Sequence, residues 1–131
     1  MARGRDAHQA HLSAVAALGR NLSRRASSRC ELCEDRETLT VVEVPPAREE
    51  PAEDRALLLC PRCSGLVNKG LPKRVNDDEL RFLEQAVWSD LLPAKLAAVR
   101  LTRKLAAQGV PWAQDILEGL WIDEDTEALL G

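Results

Sequence analysis

Apolar positions at Leu12, Val15, Gly19 and Leu22, with Leu18 beside them, fall on one stripe at helical spacing and predict a helix over 8–26. Arg20, Arg24 and Arg25 sit mostly off that stripe. The pattern then changes period. Residues 38–44 (Thr-Leu-Thr-Val-Val-Glu-Val) are β-branched and strand-like, and Pro45-Pro46 ends them because proline supplies no ladder N–H. An acidic loop over 47–55 leads to a second short strand, Ala56 to Leu59, giving a hairpin with a long tip.

From residue 76 the helical period returns. Asn76 with Glu79 fits a capping box, and Leu80, Leu83 and Val87 form the stripe behind it. Asp90 is the candidate cap of the next helix, whose apolar side is Leu92, Leu96, Val99 and Leu105 and whose stop is Gly109. Pro111 opens another helix carrying Trp112, Ile116, Leu117, Leu120 and Trp121. Asp123 starts a last short turn ending near Leu130. The expected fold class is α+β and mostly helical. A small treble-clef or zinc-ribbon hairpin follows one helix and precedes three to four short ones. The expected division is an amphipathic helix over 1–27, a cysteine-bearing module over 28–75 and a helical part over 76–131 packed on the same domain.

At 131 residues, 45% apolar and 30% charged, the chain has the length of one domain and the make-up of a folded protein. Aromatic residues are only 3%, so Leu, Val, Ile and Ala must build the core, and small cores of this kind often rely on a staple. Trp88, Trp112 and Trp121 each adjoin an apolar stripe and read as core, with an exposed binding surface as the alternative. No apolar run approaches the length that spans a membrane, and the front end is a poor secretory signal, so the expected compartment is a reducing one. The front end, rich in Arg and Ser, also loosely resembles an organelle transit peptide, but an amphipathic helix explains the same letters.

Net charge is −3, which argues against a domain built mainly to grip nucleic acid. The distribution is uneven, however. Residues 1–29 hold six Arg and one acid, while residues 113–131 hold six acids and no base. Arg20, Arg24, Arg25 and Arg29 are therefore candidate nucleic-acid contacts, beside the plainer reading that they are solvated or meet the acids.

The strong chemical signal is Cys30-x2-Cys33, a spacer of 26 residues, and Cys60-x2-Cys63. Two residues between cysteines let both sulfurs address one centre while backbone N–H groups turn toward them. Two such knuckles offer four thiolates, which suits tetrahedral Zn²⁺. Closing the intervening loop costs roughly 3 kcal/mol of chain entropy plus a constant. A structural zinc site returns roughly 10–16 kcal/mol at neutral pH. Two disulfides, a four-thiolate iron site, a redox pair and unbound thiols are the alternatives. With four sulfur ligands no position is left for water or substrate, which marks a structural site.

Knuckle, hairpin, second knuckle and a following helix is the layout of a treble clef, which HNH nucleases resemble. Here Glu43 stands near where that family's general-base histidine would sit, and Ser64 follows the last cysteine where histidine is common. The two histidines, His8 and His11, lie far upstream. At i, i+3 they offer two metal ligands on a helix face, but more simply read as exposed.

A closer resemblance is carried by several segments. They are Cys30-Glu31-Leu32-Cys33, Val42-Glu43-Val44-Pro45-Pro46, Leu57 through Cys63, Val87-Trp88-Ser89-Asp90, Trp112-Ala113-Gln114-Asp115-Ile116-Leu117 and Leu120 through Thr126. Together they resemble the PhnA-like proteins over nearly the whole chain. The resemblance implies zinc on Cys30, Cys33, Cys60 and Cys63, a bacterial cytoplasmic protein, and a family name associated with alkylphosphonate-utilisation genes. The resemblance also implies longer relatives that continue into a β-rich C-terminal domain, which is not expected within these 131 residues. The expectation is a non-enzymatic zinc-binding interaction module with a protein partner. A nucleic-acid-binding finger related to a degenerate HNH module is the alternative.

Overall fold

The computed structural model describes residues 2–131. Helices dominate, and one two-stranded antiparallel sheet is present among the described residues. The front of the chain is helical from Ala2, but in two pieces: α1 (Ala2–Ala17) and α2 (Gly19–Ala26). The expected single helix breaks at Leu18, whose N–H turns back only three residues, to the Val15 carbonyl at 3.2 Å. Gly19, a poor helix former, follows, and a Cβ there would stand 3.6 Å from Val41. Leu22 is fully buried, while Leu12 on the predicted stripe stays 49% exposed. Ser27 and Ser28, both at positive φ, end α2, and the Ser28 N–H closes onto the Ser23 carbonyl at 2.9 Å.

The hairpin forms as its letters demand. Strands β1 (Thr40–Glu43) and β2 (Ala56–Leu59) pair with Val42 opposite Leu57 and Val41 opposite Leu58. Side-chain alternation sends Val42, Leu57 and Leu59 into the main core. Ala56 and Leu58 face the other way, onto Leu22 of α2, with Val41 packed against them. A strand buried on both faces reads as an unbroken apolar run, which is what Ala-Leu-Leu-Leu is.

β2 runs straight into α3 (Pro61–Lys69), with Cys60 at the N-cap and Pro61 in the first turn, where its missing N–H costs nothing. The stretch after Asn76 departs from expectation. It forms a 3-10 turn over Asp77–Leu80 and then a single helical turn, α4 (Leu83–Ala86). Asn76 does cap, but through the Asp78 N–H, and the Asp77 carboxylate is drawn instead to the Trp112 indole N–H at 2.8 Å. The stripe still works, since Leu80, Leu83 and Val87 are all buried.

α5 (Leu92–Ala107) is the central helix, packed by α4, α6 (Pro111–Gly119), α7 (Glu124–Leu130) and β2. Its start is held by the Ser89 hydroxyl, which accepts the Leu91 N–H at 3.1 Å, and Asp90 stays exposed. Leu96, Val99 and Leu105 are fully buried. The one fully buried polar residue on it, Thr102, donates its hydroxyl to the Ala98 carbonyl at 2.8 Å. α7 begins as predicted, with the Asp123 carboxylate accepting the Thr126 N–H at 2.7 Å. The tryptophans depart from the core reading: Trp112 is half-buried, but Trp88 and Trp121 are 58% and 76% exposed. No described helix is long and apolar enough to cross a membrane.

Candidate metal centre

Four sulfurs from two distant turns meet at one point. The first knuckle is a tight backbone ring: the Cys30 N–H donates to the Asp35 carbonyl at 2.7 Å, and the Glu34 N–H returns to the Cys30 carbonyl at 2.9 Å. Glu34 sits at positive φ to close it. The second knuckle is the start of α3, where N–H groups and the helix dipole point at whatever lies beyond the first turn. The Sγ atoms of Cys30, Cys33, Cys60 and Cys63 all lie within 4.8 Å of one another. Cys33 and Cys60, one from each knuckle, are 3.6 Å apart. Sulfurs on a tetrahedral ion with bonds near ~2.3 Å stand roughly 3.8 Å apart. A disulfide needs ~2.05 Å, and all four thiols are free.

Cys30, Cys60 and Cys63 are buried and Cys33 is partly so. Four thiols crowded here do not ionise alike. Cys30 is pulled down to about 4, chiefly by a hydrogen bond from Cys63 and further by backbone N–H groups of Cys33, Cys60 and Leu32. Cys63 moves the opposite way, held protonated by that same bond and by burial. Burial also pushes Cys60 up, helped by its neighbours. Sulfurs of which Cys30 ionises at the expense of Cys60 and Cys63 become a full set of thiolates only around a cation. Soft donors with no oxygen among them are the set that Zn²⁺ or iron takes.

Glu31, inside the first knuckle, anchors it to the hairpin. Its backbone N–H donates to the Leu58 carbonyl at 2.8 Å, and its carboxylate accepts the Leu58 N–H at 2.8 Å. The same carboxylate takes a fork from Arg25, Nε and Nη2 each at 2.8 Å. Arg25 also donates to the backbone carbonyls of Glu53 and Ala56. Arg62, beside the second knuckle, lies over the Phe82 ring at 5.3 Å. Burial pulls its guanidinium down, but the nearby cysteine sulfurs outweigh that and leave it raised.

The structure therefore brings the four cysteines together and separates the four arginines by role. Arg20, Arg24, Arg25 and Arg29 are all exposed residues, but the Arg25 guanidinium is held on Glu31, with its side chain 26% exposed. His8 is exposed, and His11 reaches Glu43 on β1 at 2.9 Å, a pairing that a separation of 32 residues concealed. Among the described residues the four cysteines are the one cluster of three or more such groups close enough to hold an ion. Comparison with family models, curated proteins and solved structures finds no match for the chain.

Proposed function

We propose that the chain is a non-enzymatic structural-zinc protein of PhnA-like type, in which one Zn²⁺ on Cys30, Cys33, Cys60 and Cys63 staples a treble clef. The convergence of four sulfurs within 4.8 Å carries this reading. The order knuckle, β1–β2, knuckle, α3 supports the treble clef. A closed four-thiolate set makes the ion a fold element, since chemistry at zinc requires an open position. Its binding energy of roughly 10–16 kcal/mol is comparable with the whole stability of about 5–15 kcal/mol expected of a domain. The rigid module then presents an exposed surface that includes Trp88 and Trp121 to a protein partner. A reducing compartment such as the cytoplasm keeps the thiols available.

The nucleic-acid alternative is the weaker one, because Arg25 is committed to Glu31 and three exposed arginines remain. Metal analysis of protein purified under reducing conditions tests the zinc reading, with cobalt substitution reporting the donors. One Zn²⁺ per chain and a four-thiolate cobalt spectrum are expected, with Cys63→Ser losing both. Metal-free reduced protein that keeps the native fold, or a cobalt site with an exchangeable water, overturns it. Binding to DNA or RNA that falls steeply with salt and is abolished by reversing Arg20, Arg24 and Arg29 would favour the alternative.

A further inference from the structure

A cavity of about 360 Å³ lies between α5, α3 and the end of α7. Leu66, Ala97, Leu101 and Leu130 supply apolar walls. Arg100 and Lys104 are its charged lining residues, and no carboxylate lines it. Both cations belong to α5 at i, i+4, a spacing at which like charges repel. Their neighbour Arg103 is paired with Glu127 at 2.7 Å. Arg100 and Lys104 have no ion-pair partner among the described residues.

Arg100 is the anomaly. Its Nη2 donates to the Leu129 carbonyl at 2.7 Å, which caps the end of α7, but its Nη1 is buried with no hydrogen-bond partner. Burial pulls its guanidinium below the usual range, and no acid offsets that. A half-buried cation without an acid beside it is disfavoured, and buried donors such as this Nη1 are normally satisfied. With Nη2 on the Leu129 carbonyl and Nη1 enclosed, Arg100 offers the cavity its positive charge rather than an open fork, and the Lys104 ammonium one turn away adds a second. A volume of this size corresponds to roughly a dozen waters at ~30 Å³ each. It falls in the range of small-ligand sites, which combine apolar walls with a few converging polar groups.

We propose that this cavity binds a small amphipathic anion, with a carboxylate head at Arg100 and Lys104 and an apolar chain against Leu66, Leu101 and Leu130. The site is separate from the four cysteines and does not depend on which metal they hold.

Titration of the full-length, metal-loaded protein with n-octanoate tests this, by calorimetry and by amide NMR shifts, with 1-octanol as the uncharged control. Saturable one-to-one binding is expected, with shifts centred on Leu101 and Leu130 and octanol at least about tenfold weaker. Lys104→Met, at an exposed position, should weaken octanoate about tenfold without disturbing the fold, and Arg100→Met should weaken it further. If Arg100→Met loosens α7, Arg100→Gln removes the charge while keeping an N–H donor for the Leu129 carbonyl. Three results overturn the proposal: no saturable binding, octanol binding as tightly as octanoate, or shifts centred away from the cavity. Unchanged affinity in Lys104→Met together with an Arg100 variant also overturns it.

Discussion

Removing the Glu31 carboxylate should cost more than removing any exposed arginine of the front helices. In Glu31→Ala three hydrogen bonds to a charged acceptor vanish together, from Arg25 Nε, Arg25 Nη2 and the Leu58 N–H, each 2.8 Å long. The Glu31 side chain is only 4% exposed and that of Arg25 is 26% exposed, so water replaces little of what is lost. Breaking a fully buried pair from one side costs about 3–5 kcal/mol. Partial access to Arg25, and its remaining bonds to two backbone carbonyls, place the expected loss near the lower end, about 3 kcal/mol. For a domain of this length that is a fall in Tm of roughly 10 °C. Urea unfolding of the metal-loaded protein measures it, with Arg24→Ala, at an exposed position, expected to stay within about 0.5 kcal/mol of the parent. A double-mutant cycle of Arg25→Ala with Glu31→Ala should show a coupling of at least about 1 kcal/mol. Since Glu31 lies between Cys30 and Cys33, zinc should also leave faster to a chelator in Glu31→Ala. A loss under about 0.5 kcal/mol with no coupling would show that the knuckle holds its shape without this carboxylate, and the reasoning would fail.

The tryptophans separate by contact. Trp112→Phe deletes the bond to Asp77 and should cost about 1 kcal/mol in the same urea experiment, whereas Trp121→Ala, at 76% exposure, should fall within about 0.5 kcal/mol. Acid should loosen the end of the chain first. The Thr126 backbone N–H, with the Thr126 hydroxyl next, holds Asp123 below its ordinary value, and a hydrogen bond from Arg103 does the same for Glu127. A depressed carboxylate stabilises the fold above its unfolded pKa and loses that contribution as pH falls through the folded value. α7 should therefore stay docked down to the ordinary carboxylate range near 4 and release below it, read as a change in Trp121 fluorescence. Asp123→Ala should weaken that transition, and Asp123→Ala with Glu127→Gln should abolish it.

Much of the fold was legible because its signals are local. β2 ends where its apolar run ends, α6 starts at its proline, and α7 starts at the aspartate that caps it. Each of these features acts within four residues, so sequence spacing and physical distance coincide. The failures have the opposite character. The run after Asn76 shortens to a 3-10 turn and one helical turn while its Asp77 is engaged by an indole 35 residues away. Trp121 lies next to an apolar stripe yet projects from the surface, because α6 ends at Gly119 and the residues beyond leave the helical path. Periodicity places a residue on a face only while the helix lasts.

The metal centre divides along the same line. Cysteine pairs are legible at a distance because an ion demands a fixed number of soft donors, and the chain has four thiols in two matched pairs to supply them. Glu31 and Arg25 carry no such demand. A glutamate in a knuckle and an arginine at a helix end are ordinary surface letters until Ser27 and Ser28 turn the chain through two positive-φ residues. That turn sets the arginine six residues from its carboxylate and within a bidentate bond of it. It also changes what the basic front end can do. An arginine with four of its five N–H donors already taken has little left for phosphate, so charge counted along the chain overstates the charge the surface presents. The reverse holds at Arg100 and Lys104. There α5 brings two cations, without an ion-pair partner among the described residues, to a largely apolar cavity, in a chain whose net charge is negative.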